Sequence, residues 1–387
     1  MKKFILILLS TIIAAGLAAC SGEPAEPDKS SPEREVLHED GNHSFDGKTC
    51  TECGYIDMSG MEIDAAIAQY GYFHVDTDGS NTVNTGDTVY FGSYPKTRVD
   101  EDLSAYLMGS WTDYGYYANM EKAELMSYMD FTVDEVKYRA VKIDGNKPYY
   151  TDLAATEEKS YVAQNGYTAG NVYFFKFEPI EWRVLDYANG EAMLNTVRCV
   201  DGQSYKAVYF KDGSVYYGDE AKTVYANDWE NSDIRAFLNG SFTDWAFDSA
   251  ERALLVTKTL DNTASYDPEN TFAKDQKVTD DKVYLLSWAD LNNELYGFTG
   301  SLIKTGTDYA ESQGLRTSQQ SANENGESAS WWSLRSSGGK SFTICGVNKY
   351  GEATKSNTTM YSDSATDGVV TYTAEGISPV VNIKIGK

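Results

Sequence analysis

With 387 residues, 58 acidic against 33 basic, the chain carries a formal charge of −25, which argues against partners that present phosphate, nucleic acid above all. Twenty-nine Tyr and 32 Gly beside only 8 Pro favour strands, turns and half-wet aromatic faces and argue against an all-helical fold. The length suits one large or two ordinary domains with a real core.

Met1-Lys2-Lys3 and the uncharged apolar run over residues 4–19 have the charge order of a secretory signal peptide, and the run is short of the roughly 20 residues that span a bilayer. It ends Leu17-Ala18-Ala19-Cys20, which resembles the lipobox of bacterial lipoproteins. That resemblance implies cleavage after residue 19, a diacylglyceryl group with palmitate-type chains on Cys20, and a protein held at the cell surface on the extracytoplasmic face of a membrane. A plain signal peptide with an incidental cysteine is the competing reading. Residues 20–42, with Pro24, Pro27 and Pro32 in a charged setting, read as a flexible tether.

A small segment over 43–85 follows. With His38 it supplies His43, Cys50 and Cys53 in the pattern H-x4-H-x6-C-x2-C, where two thiols on a tight turn plus two imidazoles would complete a tetrahedral zinc site. A Cys50–Cys53 disulfide or two free thiols compete, because only the C-x2-C half has the usual ligand spacing. Residues 76–87 place Asp76, Asp78, Ser80, Asn84 and Asp87 at calcium-loop offsets, but Asn81 stands where glycine belongs and Asp87 where glutamate does, so a plain turn is expected.

From Gly86 to the end one large domain, 86–387, is expected. Runs rich in Val, Ile, Tyr, Phe and Trp predict strands over 88–94, 135–143, 172–185, 192–199, 207–217, 282–287, 331–336, 342–347, 369–373 and 377–385. Helical spacing over 233–239 and 248–256, with capping boxes Asp248/Glu251 and Ser287/Asp290, predicts a few helices among them. The class is therefore α+β, mixed and strand-rich. Residues 318–330, all small or polar, read as an exposed loop, and Cys199 and Cys345 as buried thiols in apolar strands, with a disulfide between the two as the competing reading.

The motifs FGSYP at 91–95, PIEWRVLD at 179–186, WENSDIRAFLN at 229–239, AFDSAE at 246–251, DKVYLLS at 281–287, WWSLRSSG at 331–338 and GISPVVNI at 376–383 together resemble the bacterial domain-of-unknown-function family numbered 6273. The resemblance implies an architecture similar to the C-type-lectin-like and formylglycine-generating-enzyme-like folds. Ser378 stands where that family's last motif usually has arginine, which puts a role for that arginine in doubt.

Trp182, Arg183, Trp229, Arg235, Trp331, Trp332 and Arg335 form one aromatic and cationic group, to be read either as core ion pairs with acids such as Glu181, Glu230 and Asp233 or as a ligand site. The only histidines are His38, His43 and His74, so a Ser–His–Asp or Cys–His nucleophile cannot be assembled from residues 86–387. No Glu-Pro-Asn, Gln-Pro-Asp or Trp-Asn-Asp sugar motif of calcium-dependent lectins is present. The leading expectation is a non-catalytic module that binds glycan or a surface protein. A carboxylate-dependent hydrolase and a ligand-free structural envelope lipoprotein are the alternatives.

Overall fold

A computed structural model of the chain describes residues 43–109, 126–143, 155–159, 161–206, 210–263, 267, 269–274, 276–298, 302–322, 325–358, 370–373 and 375–386. The leader, Cys20, the tether and His38 lie outside the described residues. Among these residues no helix is long and apolar enough to cross a membrane.

The spine of the fold is the strand Val172–Ala188, on which Ile180, Trp182 and Val184 are buried while Glu181 and Arg183 between them are half-exposed. That alternation is what a sheet with one covered face demands. Its length gives it three antiparallel neighbours in succession: Val136–Lys142 on its first residues, Thr88–Arg98 along the middle and Glu191–Thr196 at its end. Beyond Glu191–Thr196 the sheet continues through Val380–Lys384 to Val283–Tyr284, and beyond Thr88–Arg98 to Phe73–Val75. Tyr128–Val133 pairs with the far side of Val136–Lys142.

A second sheet of five strands runs Asp201–Gln203, Glu375–Ile377, Trp332–Ser337, Thr343–Val347 and Ala353–Thr358. Its contact between Trp332–Ser337 and Glu375–Ile377 is parallel, and its other pairs are antiparallel. Among short helices at Asp233–Phe237, Thr243–Ala246 and Ser249–Leu254, Thr243–Ala246 packs on Thr88–Arg98 of the main sheet, and the class is α+β. The Asp248/Glu251 box caps Ser249–Leu254, and the Ser287/Asp290 box caps Trp288–Leu291. One hydrophobic core extends from Cys50 to Ile385.

Three of the sequence motifs meet where the helices reach the sheet. The ladder between Thr88–Arg98 and Val172–Ala188 shifts register between Tyr90 and Ser93. Gly92 makes that shift at φ +68°, and a Cβ there would lie 2.6 Å from the Phe247 ring and 2.7 Å from the Ala246 carbonyl. The bulge thus requires glycine twice, for its backbone and for the close approach. Phe91 stacks on Phe247 at 4.9 Å, and the Trp182 indole N–H donates to the Phe91 carbonyl at 2.8 Å.

Two expectations change. Residues 318–330 are not a bare loop: Thr317–Ala322 pairs antiparallel with Ser328–Ser330, and Ala329 and Ser330 are fully buried. Hydroxyl and amide groups hold that polar strand in place of apolar side chains, Ser330 Oγ donating to the Lys304 carbonyl at 2.9 Å and Gln164 Nε2 to the Thr317 carbonyl at 2.9 Å. The run 207–217 contains a hairpin, Phe210–Asp212 against Val215–Tyr217, reversed at Gly213 with φ +59°.

Across the expected boundary at residue 86, Phe73–Val75 pairs with Thr88–Arg98, and His74 Nε2 lies 3.0 Å from Asp87 Oδ2. The 43–85 segment is thereby built into the sheet and shares its core. Its 76–87 loop is a turn in which Asp76 accepts from the backbone N–H groups of Gly79 and Asn81, and Asp78 from that of Ser80. Burial works against the charge of Asp87, but hydrogen bonds from His74, Asn84 and Thr77 outweigh it and hold the carboxyl below its usual range.

Candidate functional site

The short hairpin Phe45–Asp46 with Thr49–Cys50 turns at Gly47, φ +63°, and sets Phe45 opposite Cys50. The chain then doubles back through a second turn: Gly54, at φ +76°, donates to the Cys50 carbonyl at 3.0 Å, and Cys50 N–H donates to the Tyr55 carbonyl at 2.8 Å. Thr51 ties this turn to Ser44 through its N–H at 2.9 Å and its hydroxyl at 3.0 Å. These bonds bring His43, Cys50 and Cys53 together, with the ligand atoms of all three within 4.8 Å of one another. Cys53 Sγ is 3.4 Å from His43 Nδ1, and the His43 ring stacks on Tyr55 at 5.0 Å.

Backbone N–H groups point at both sulfurs. Tyr55 N–H lies 3.5 Å from Cys53 Sγ. Cys50 has no exposed surface; burial raises its thiol, but N–H groups of Cys53 and Glu52 and the His43 side chain outweigh that and bring it down to about 6. Cys53 is raised, by burial first and then by the neighbouring Cys50. Both cysteines are thiols, as are the fully buried Cys199 and Cys345, which burial pushes up to about 11 and about 12. Cys199 contacts Ser330 Oγ at 3.4 Å and Cys345 donates to the Ser337 carbonyl at 3.6 Å, so each has its own partner within the interior.

The Trp/Arg group divides between several places. Trp182 and Trp229 are wholly buried, and the indole of Trp229 donates to Asp281 Oδ2 at 3.0 Å. Arg235 Nε reaches Asp281 Oδ1 at 2.7 Å and Thr279 Oγ1 reaches Oδ2 at 2.8 Å, which satisfies a carboxylate that is 1% exposed. Asp233 and Glu230, the acids expected beside Arg235, pair with Lys206 at 2.7 Å and Lys277 at 3.2 Å. Arg183 donates to the Gly297 carbonyl at 2.7 Å, and Trp331 carries the Arg316 guanidinium on its face at 4.0 Å. Trp332 lies under the Lys304 ammonium at 5.1 Å.

Lys304 answers the question raised by Ser378. Its Nζ donates to Ser378 Oγ at 2.7 Å, to Asn195 Oδ1 at 2.6 Å and to the Thr196 carbonyl. The enclosed head group is lowered to about 7 by burial. A lysine from the non-strand segment 302–304 therefore meets the terminal motif.

Arg335 alone of the Trp/Arg group lines the cleft at the end of the main sheet, a cavity of about 520 Å³. Its Nη1 donates to Asp290 Oδ2 at 2.6 Å and its guanidinium lies 5.7 Å from the Tyr284 ring centre. A hydrogen-bonded row crosses the cleft: Tyr284 hydroxyl to Asn382 Oδ1 at 2.6 Å, Asn382 Nδ2 to Glu191 Oε1 at 2.9 Å, and Lys258 Nζ to the same Glu191 oxygen at 2.7 Å. Asp186, Asp261 and the half-buried Tyr296 complete the wall, leaving four carboxylates against two cations. By contrast, the hollow between Tyr94 and Arg198, which Glu181 lines, holds only about 20 Å³, room for one water.

Residues 206–385 match a domain of unknown function, DUF6273. The matched DUF6273 segment contributes the strands Val283–Tyr284 and Val380–Lys384 to the main sheet, while residues before 206 contribute the remaining strands. It contains Lys258, Asp290, Arg335 and Asn382 of the cleft; Asp186 and Glu191 precede it. No curated protein and no solved structure matches the chain. Tyr284 and Asn382 fall inside the motifs DKVYLLS and GISPVVNI, whereas Glu191, Lys258 and Tyr296 carry no sequence signal that marks them.

Proposed function

We propose that this chain is a lipid-anchored, extracytoplasmic surface protein whose folded unit is a non-catalytic module that binds a neutral glycan in the cleft crossed by Glu191, Asn382 and Lys258. The cleft carries the proposal. Its volume of about 520 Å³ falls in the range of small-ligand sites, and its paired acids, amide and ammonium are the alternating acceptors and donors that sugar hydroxyls take. Tyr296, half-buried on the wall, offers a ring face to a sugar. The excess of carboxylates disfavours an anionic ligand.

Among the described residues, burial raises the carboxylic acids Glu251, Glu311 and Glu375, and none of these lines the cleft. A carboxylate hydrolase wants a raised acid inside its cleft, so binding without turnover is the better reading. The C-type-lectin-like architecture belongs to the same proposal and rests on the antiparallel main sheet with helices gathered on it. The anchor rests on the leader and Cys20.

The test is retention of the detergent-purified whole chain on an array of neutral oligosaccharides. Glu191→Gln and Tyr296→Ala should each lower affinity at least about tenfold, with unchanged circular dichroism. Retention that is indifferent to both variants, or an empty array beside capture of an envelope protein, would move the reading to a protein-binding surface. For the anchor, Cys20→Ala should move the protein from the membrane fraction to the soluble one.

A further inference from the structure

We propose that His43, Cys50 and Cys53 bind one zinc ion through an imidazole and two thiolates, and that this metal fastens the first hairpin of the fold to the last residues of the main sheet. The reasoning is independent of the glycan cleft.

Zinc bonds of about 2.3 Å to sulfur and 2.0–2.1 Å to nitrogen place neighbouring tetrahedral ligands about 3.5–3.8 Å apart. The 3.4 Å between Cys53 Sγ and His43 Nδ1 is close to one such edge, and the third ligand, within 4.8 Å, closes on it with about an ångström of movement. Thiolate and imidazole together select zinc over calcium or magnesium, which take oxygen. Around the ligands, the Tyr55 N–H lies 3.5 Å from Cys53 Sγ, and the stack on the Tyr55 ring holds the imidazole plane. On binding, each thiol gives its proton to solvent and each sulfur gives a lone pair to the metal.

What the metal would fasten is also visible. Gly386 runs at φ +83° directly under the turn, where a Cβ would lie 2.8 Å from the Cys53 carbonyl. One residue earlier the Ile385 carbonyl accepts from the Tyr187 hydroxyl at 3.2 Å, and the Ile385 N–H donates to the Gly190 carbonyl at 2.8 Å. A hairpin of two residue pairs is marginal by itself. A metal that needs His43 from before the hairpin and Cys53 from after it closes that hairpin and presses its turn onto the chain next to Val380–Lys384.

The experiment uses the whole chain, purified in detergent, reduced and freed of metal, then titrated with Co²⁺. One Co²⁺ per chain should bind, with a thiolate-to-cobalt charge-transfer band and the strong visible absorption of a tetrahedral site, and zinc should displace it. Zinc should also raise the melting temperature of the wild type. Cys53→Ser and His43→Gln are at partly exposed positions and should keep the far-ultraviolet spectrum; both should weaken metal binding at least about tenfold and abolish the zinc-dependent rise. Absence of the charge-transfer band in the reduced wild type, or an undiminished band with unchanged cobalt affinity in Cys53→Ser, would overturn the site. Metal binding with no change in melting temperature would overturn the fastening.

Discussion

The Asp281 knot and the Cys/His turn both gather polar groups around short strands, and they differ in what meets those groups. At Asp281 every acceptor meets a donor from the chain: an indole N–H, a guanidinium and a hydroxyl close on a carboxylate that is 1% exposed. At the turn three groups of one kind, electron-pair donors, converge within 4.8 Å. Opposite charges finish a core among themselves; on the zinc proposal, convergent metal ligands are finished by the ion. The tryptophans and arginines that stand out in the sequence belong mostly to the first kind, so their prominence reflects packing.

That contrast can be broken most directly at Asp281. Asp281→Ala leaves the Arg235 guanidinium and the Trp229 N–H without their buried acceptor and should cost about 3–5 kcal/mol in denaturant unfolding. If the two regions differ as described, metal content in that variant stays at the wild-type level. A loss below about 1 kcal/mol would show that the knot is wet and the contrast false.

Next in size is the cap. Asp248 accepts from the N–H groups of Ala250 and Glu251, so Asp248→Ala should cost about 1 kcal/mol by the same assay.

A smaller effect concerns pH. Burial pushes Glu311 and Glu375 up to about 7, in Glu375 despite Arg316 at 3.3 Å. The folded chain thus holds protons that the unfolded chain releases at about 4.3, and these two groups make stability fall as pH rises from about 4.3 to 7. Lys304, lowered to about 7, has the opposite sign: its unfolded form keeps a proton up to about 10.4, so stability from this group rises above pH 7. Melting curves of Glu311→Gln should show a flatter slope below pH 7 than the wild type; an equal slope would remove Glu311 from this account.

The smallest expected effect sharpens the contrast from the other side. Without metal, His43→Gln should change stability by less than about 0.5 kcal/mol, the ordinary range for a surface substitution. A large metal-free loss would make His43 a packing residue first.

Much of the fold is legible in the sequence where local chemistry acts alone. Strands dense in aromatic and β-branched residues, such as Val172–Ala188, and the boxes at Asp248 and Ser287 are of this kind. The polar strand Thr317–Ala322 is not, because its support comes from Gln164 and from buried hydroxyls far along the chain. The partner of Arg235 was equally hidden: Asp281 lies 46 positions away, while nearer acids offered themselves on spacing alone. The grouping of His43 with the C-x2-C turn could be read from spacing as one alternative among several, whereas how close the imidazole comes to the sulfurs depends on the hairpin register between Phe45 and Cys50. Of the cleft, motif residues Tyr284 and Asn382 were within reach of sequence reasoning, and Glu191 and Lys258 were not, because only the folded sheet brings the Lys258 ammonium and the Asn382 amide to the same Glu191 oxygen.

Val380–Lys384 lies between Glu191–Thr196 and Val283–Tyr284, with Val381 opposite Leu194 on one side and Val283 on the other. The sheet therefore waits for one of its last-synthesised strands, and loop closure of that span is slow. For a polypeptide that crosses a membrane unfolded, this order of events is an advantage. On the proposed export, such a chain would stay threadable until Val380–Lys384 has passed through, and that strand would then lock the sheet on the far side.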